Sequence, residues 1–287
     1  AGGFQRLKGA IDSEGKLIAW DQHYIGMSRN AKPTSGSRFS RNEFPLPYLS
    51  NARGTSTLLE IGTPCGPWRA PGANTHAFVV QSFIHELAHL AGRDHLEFLL
   101  EMFGERPELS SRKMRSVNTR RAALVTRLAA EKAGWGRALK DGRGLGLAFH
   151  FSHAGHIAEV AEVSVDARKK LTVHKVTVAV DVGPIINISG ALAQVEGSVI
   201  DGLSALIGQR ITMEDGQIEQ SNLHDYPVLR ISAAPEVDVH FIESNNPPTG
   251  LGEPALPPLA PAVGNAIFAA TGQRVRNMPL TTEGYSA

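Results

Sequence analysis

The chain has 287 residues, with 29 basic and 28 acidic side chains and 42% hydrophobic residues. That length is ample for a buried core, and a formal net charge of +1 removes global electrostatics as an argument for nucleic-acid binding. No run approaches the roughly 18 apolar residues of a membrane span, and the single cysteine, Cys65, excludes an internal disulfide or a cysteine-ligated iron–sulfur cluster on this chain alone. The opening Ala1-Gly2-Gly3-Phe4-Gln5 carries no initiator Met and no signal-peptide pattern. It gives no address, so cytoplasm and periplasm both stay open. Residues 7–20 read as two short strands joined at Glu14-Gly15, and a chain that begins inside a hairpin is expected to be the back part of something longer. Residues 28–75, rich in Ser, Asn, Pro and Gly, are expected to be mostly irregular, with a strand near 57–61. Residues 75–102 predict a helix broken at Gly92, because Val80, Phe83, Ile84, Leu87 and Leu90 or Ala91 recur at helical spacing.

Residues 106–143 carry eleven Lys and Arg against three acids, and about 112–133 is helical by composition. From Gly142 the texture turns to strands at 146–151 and 157–165, a turn at 166–170, and a Val-rich return at 171–180. A helix over 190–206, a hairpin of 211–214 with 217–220 across Asp215-Gly216, a strand at 237–242 and a helix over 260–271 ending at Gly272 complete the expectation. No internal repeat is evident.

The densest local pattern is His85-Glu86-Leu87-Ala88-His89-Leu90-Ala91-Gly92-Arg93-Asp94-His95, which fits the HExxHxxGxxH signature of zinc peptidases. His85 and His89 would share a helix face, His95 would supply a third ligand, and Glu86 would activate a zinc-bound water. Against this, the apolar stripe puts His85 and His89 on the opposite, polar face, which requires no metal. No methionine turn is legible around Met102, Met114 or Met213. A second cluster, His150, His153 and His156, falls on strand-like sequence, where positions three apart face opposite ways and do not converge unless the segment bends. The basic run lacks interleaved aromatics and any nucleic-acid module, so a solvated helical face or a surface meeting a partner subunit is the expectation there.

The stretch Thr249-Gly250-Leu251-Gly252-Glu253-Pro254-Ala255-Leu256-Pro257-Pro258-Leu259-Ala260-Pro261-Ala262, continued by Gly264-Asn265-Ala266-Ile267-Phe268-Ala269-Ala270-Thr271-Gly272-Gln273-Arg274, resembles the GxGE loop and following helix of the xanthine dehydrogenase/aldehyde oxidase family. Within that family it is most similar to the large (beta) subunit of bacterial isoquinoline 1-oxidoreductase, and looks like its C-terminal part. Ala191-Leu192-Ala193-Gln194-Val195-Glu196-Gly197 resembles the family's AQxEG segment. The 220–230 stretch resembles QSNFHDYPxLR, and Gly66-Pro67-Trp68-Arg69-Ala70-Pro71-Gly72 resembles the WRxPG loop. Glu86-Leu87-Ala88-His89 and Gly92 belong to the family's long helix, so only His85 and His95 complete the zinc spacing. The similarity runs from about residue 2 to 280. The family's N-terminal glycine-rich cofactor loops have no counterpart here, which implies a further N-terminal part of the large subunit as a partner.

The resemblance implies a mixed α/β (α+β) fold, the C-terminal part of the molybdopterin-binding domains of a molybdenum hydroxylase. Residues 1–141 would carry the long helix and the basic helical segment, and residues 142–287 the GxGE loop. It implies an oxidoreductase that oxidises an N-heteroaromatic ring or an aldehyde with oxygen from water. Glu253 would be the base and Arg69 would orient the small-molecule substrate. Gln194, Gly190, Gly197, Gly250 and Gly252 would meet molybdopterin, in its cytosine dinucleotide form. No direct protein ligand to molybdenum is expected. Since one cysteine cannot hold a cluster, [2Fe–2S] centres are expected on a small partner subunit. Glycine beside Glu253 allows close backbone approach, and Pro254 stiffens the exit. A zinc metallopeptidase and a non-catalytic fragment that binds a partner subunit are the alternatives.

Overall fold

A computed structural model describes residues 2–40, 42–104, 117–140 and 142–287. Two four-stranded sheets organise it. In the first, β1 (Phe4–Ile11) runs antiparallel to β2 (Leu17–Arg29), which also pairs with the two-residue β3 (Lys32–Pro33) and, in parallel, with β4 (Ala52–Glu60). Helix α1 (Ala73–Leu90) follows, then α2 (His95–Phe103) and α3 (Thr119–Ala133). The second sheet is an antiparallel meander of β5 (Arg143–Ser152), β6 (Gly155–Val165) and β7 (Leu171–Asp181). Helix α4 (Ile188–Ile207) and a short hairpin, β8 (Met213–Glu214) with β9 (Gln217–Ile218), precede β10 (Glu236–Phe241). That strand returns parallel to β7 and closes the order β10-β7-β6-β5, before α5 (Leu259–Thr271). The class is the mixed helix-and-sheet one expected.

The middle of the second sheet is buried on both faces, so β6 and the second half of β7 read as nearly continuous apolar runs, whereas β10 at its edge alternates and is half-exposed. Along β6, Ile157, Ala161 and Val163 meet α4 and α5, while Ala158 and Val160 meet the core shared by α1, α2 and α3. The backbone of α5 lies directly on β5: a Cβ on Gly146 would stand 2.1 Å from the Ala262 carbonyl oxygen, and one on Gly144 2.3 Å from that of Ala266. Those two glycines fix the height of α5, and with it the loop that precedes it.

The break at Gly92 is real: Gly92 has φ +65°, and Asp94 caps α2 by accepting from the Glu97 amide at 3.1 Å. Two expectations need correction. Residues 28–75 are less irregular than their composition suggests, because β2 continues to Arg29 and β4 begins at Ala52, held by pairing with β2 rather than by apolar alternation. Leu90 is not part of the buried stripe of α1. It is 73% exposed, whereas Val80, Ile84, Leu87 and Ala88 are buried. The expected start of a helix near residue 112 lies outside the described residues. Of the basic run, Arg121 forms a two-point ion pair with buried Asp181 (2.7 and 2.8 Å), and Arg137 and Arg143 both pair with Glu162. No helix among the described residues is long and apolar enough to cross a membrane.

Candidate active site

Four distant segments meet at one place: the loop before α1, helix α4, the loop before α5 and the β5–β6 turn. Arg69 ties three of them together. Its Nε donates to the Gly252 carbonyl at 2.6 Å, and its Nη2 to the Gln194 carbonyl at 3.0 Å and to Gln194 Oε1 at 3.3 Å. Its Nη1 pairs with Asp201 at 2.7 Å. The fixed fork of a guanidinium suits such multi-point bridging. Helix periodicity supplies the partners, since Gln194, Gly197 and Asp201 are three, four and seven residues apart and share one face of α4. A Cβ on Gly197 would lie 3.5 Å from Arg69 Nη1, and one on Gly252 3.7 Å from Gln194 Oε1. These are ordinary contact distances, so the glycines leave a bare hollow rather than relieve a clash.

Glu253 is held from two sides. The Ala70 amide donates to its Oε1 at 3.0 Å, and the His153 imidazole reaches its Oε2 at 2.8 Å. Its side chain is 38% exposed, so the carboxylate is open to solvent between its two partners. Ala70 is fully buried and adopts φ +54°, a conformation uncommon outside glycine. Pro254, the next residue, is buried against Gly155 of the β5–β6 hairpin.

The structure thus brings together Arg69, Gln194, Gly197, Gly252 and Glu253. Gly190 stands apart in the first turn of α4, where its amide donates to the capping Asn187 Oδ1 at 2.9 Å, and an added Cβ would lie 3.3 Å from that side chain. Gly250 has nothing within 4 Å of an added Cβ and lines open space. Sequence reasoning missed Asp201, the Ala70 amide and His153. Asp201 was legible as the residue seven beyond Gln194. His153 is not legible in sequence, where it is only the middle one of three histidines on strand-like residues.

The zinc pattern has a different explanation. His89 is exposed, but His85 is not on a free polar face as expected: it is half-buried in the seam between α1 and α5. Arg274 donates from Nη1 to His85 Nδ1 at 2.7 Å and stacks 3.4 Å above the Phe268 ring. A guanidinium is always the donor, so Nδ1 is the acceptor, and the Asn265 Oδ1 3.0 Å away receives no proton from it. Burial, reinforced by the Arg274 charge, pushes the His85 pKa down to about 4. Burial, with the neighbouring His85, also holds the His95 pKa well below the usual imidazole value. Glu86 forms a two-point ion pair with Arg276, both contacts at 2.8 Å. Two of the groups the zinc chemistry requires, His85 and Glu86, are therefore committed to arginines. Among the described residues no group of three or more His, Cys, Asp or Glu is placed to hold a metal ion. In the second cluster, His156 is buried and His150 half-buried, loss of hydration pushes both pKa values down to about 3, and His156 Nε2 accepts from the Asn118 backbone amide at 3.0 Å.

Residues 86–235, more than half of the chain, match the molybdopterin cofactor-binding domain family. The chain belongs to that family. It is 36% identical over 209 residues to the membrane-bound aldehyde dehydrogenase (pyrroloquinoline-quinone) of Gluconacetobacter polyoxogenes, covering 70% of this chain and 27% of that protein. It is 32% identical over 216 residues to isoquinoline 1-oxidoreductase subunit beta of Brevundimonas diminuta, covering 74% and 26%. The crystal structure of quinoline 2-oxidoreductase from Pseudomonas putida 86 superimposes with a TM-score of 0.79 over 96% of this chain and 61% of that one, at 12% identity. At that identity the likeness is one of fold. The chain spans about a quarter of the length of the two curated relatives.

Proposed function

We propose that this chain supplies part of the molybdopterin site of a molybdenum hydroxylase that oxidises an N-heteroaromatic ring or an aldehyde with oxygen from water, with Glu253 as the base. The observation that carries this reading is the convergence of Arg69, Gln194, Gly252 and the part-exposed Glu253 at one place on the surface. The residues fit the cofactor. The Gln194 amide, exposed on α4, both donates and accepts, as the amide-like edge of a pterin requires. Gly197 and Gly252 leave bare backbone beside it, and Gly250 borders open space, so a flat ring can come close. The exposed first turn of α4, with Gly190, offers the positive end of a helix to an anionic group.

When bound, the molybdenum cofactor supplies the oxygen-transfer and two-electron chemistry. The chain's own residues hold and move the proton. Each oxygen of the Glu253 carboxylate keeps a lone pair beyond those used by Ala70 and His153, so it takes a proton from the oxygen donor without first breaking either contact. Arg69 fixes the loop that lines the pocket and orients substrate. The cofactor form in this reading is the cytosine dinucleotide. Electrons leave through [2Fe–2S] clusters on a small partner subunit, and the rest of the large subunit completes the pocket.

The test is metal and cofactor analysis of the purified complete enzyme. Stoichiometric molybdenum with a pterin, and cytidine monophosphate released on hydrolysis, is the expected result. A quinone without molybdenum, as the name of one relative would suggest, contradicts it, and so does stoichiometric zinc.

A further inference from the structure

We propose that His153 is the positioning residue of the Glu253 carboxylate, one half of a two-sided clamp that aims the base into the pocket. This rests on the reading of Glu253 as the base. The geometry is specific. One carboxylate oxygen takes the Ala70 amide at 3.0 Å and the other takes His153 Nε2 at 2.8 Å, so the plane of the carboxylate is defined from both edges.

Both arms of the clamp are built on unusual backbone. Ser152 pairs with Gly155 across the hairpin, which leaves His153 and Ala154 as its two-residue turn, with φ +52° and +62°. Such a turn is normally filled by Asn-Gly or Gly-Gly, because both positions need positive φ. Two side-chain-bearing residues there are strained. Ala70, the other arm, has φ +54° and is fully buried. Three non-glycine residues in the left-handed region thus flank one carboxylate.

The separation of the two arms is also fixed. β5 and β6 hold the turn by an uninterrupted antiparallel ladder from Arg143–Ser164 to Ser152–Gly155. Gly155 packs on the residue that follows the base, since an added Cβ would lie 3.2 Å from Pro254 Cβ and 3.1 Å from Val182 Cγ1. A hairpin end wedged against the proline next to Glu253 cannot drift away from it, so the imidazole is delivered at a set distance. The other two histidines of the cluster do not share this role, because they lie on the strands, His156 buried and His150 half-buried, and not in the turn.

The experiment uses the complete enzyme with measured molybdenum content, as the parent and as His153→Phe, His153→Gln, Glu253→Gln and Glu253→Ala variants. His153→Phe fills the space but removes the donor, and kcat is expected to fall at least about tenfold with KM changed much less. His153→Gln restores a donor and is expected to recover kcat to within about threefold of the parent. A second readout does not depend on turnover. Carbethoxylation of His153, followed by peptide mass spectrometry, is expected to be several-fold faster in Glu253→Ala than in the parent, because Nε2 loses its partner. Parent-like kcat in His153→Phe beside an inactive Glu253→Gln overturns the clamp and leaves the base in place. A His153→Gln variant no better than His153→Phe overturns it too, since the hydrogen bond would then not be what matters. So does equal carbethoxylation with and without Glu253. A parent-like Glu253→Gln rate is a different failure, that of the base itself.

Discussion

Two regions of the molecule gather titratable side chains, and they use them in opposite ways. In the α1–α5 seam, His85, His95, Glu86, Arg274 and Arg276 are buried or paired with one another, and the histidines are kept neutral by burial. At the loops around Glu253, the groups come from four distant stretches, the carboxylate is 38% exposed, and its partners include a backbone amide in a strained conformation. The seam matches a short catalytic signature in sequence and does structural work. The loop site is spread over separate short segments, yet it holds a part-exposed carboxylate between two partners. A dense motif thus need not mark a site, because the same residues serve here as packing and ion pairs.

The largest effect that would sharpen this contrast is on stability against pH. His85, His150 and His156 have folded pKa values of about 4, 3 and 3. Above about 6.5 each is neutral in both states, and below it only the unfolded chain is charged, so stability falls as pH drops from about 6.5 toward 3–4. Between pH 7 and 5 the loss is on the order of 2 kcal/mol per histidine. Urea unfolding at the two pH values reads it directly. His156→Gln, which keeps an acceptor for the Asn118 amide, is expected to remove one such increment. An unchanged pH dependence in that variant would mean that His156 is not held neutral by burial.

Next in size is the buried face of α1. Leu87 is 4% exposed and packs over Gly9 of β1, and Leu87→Ala is expected to destabilise by about 2–5 kcal/mol. His89→Ala, on the exposed side of the same helix, should be close to neutral in the same denaturation experiment. The reverse order would mean that the wrong face has been called buried. The smallest effect belongs to the Glu86–Arg276 pair, in which Arg276 is 62% exposed. Glu86→Gln is expected to change stability by less than about 1 kcal/mol, and to change it less still in high salt. A larger loss would give the seam more than a structural part.

Much of the fold was legible in sequence wherever local chemistry decides the outcome. The break at Gly92, the turn at Asp166–Lys170 and the end of α5 at Gly272 each depend on a residue whose backbone preference is visible in one dimension. β4 was only half legible: Ala-Arg-Gly-Thr-Ser is polar and largely exposed, and it is a strand because β2 offers it a parallel edge. The histidine environments were not legible at all. Helical spacing placed His85 opposite the apolar stripe, but α5 covers that face as well, and nothing near His85 in sequence announces Arg274. Of the residues named from family resemblance, Arg69, Gln194, Gly197, Gly252 and Glu253 come together while Gly190 stands apart, and His153 is not legible because it meets Glu253 only through a hairpin turn reaching a loop about one hundred residues later.

The most direct test of the account is turnover by the complete enzyme carrying Glu253→Gln, measured on protein of known molybdenum content. Glutamine keeps the size of the side chain and an acceptor for the Ala70 amide, while Arg69, Gln194 and Gly252 are untouched, so cofactor content should stay near that of the parent. Turnover should fall by at least the hundredfold typical of losing a general base, about 10²–10⁴, with substrate binding changed much less. A molybdenum-replete Glu253→Gln enzyme that turns over at the parent rate would contradict the assignment of Glu253 as the base.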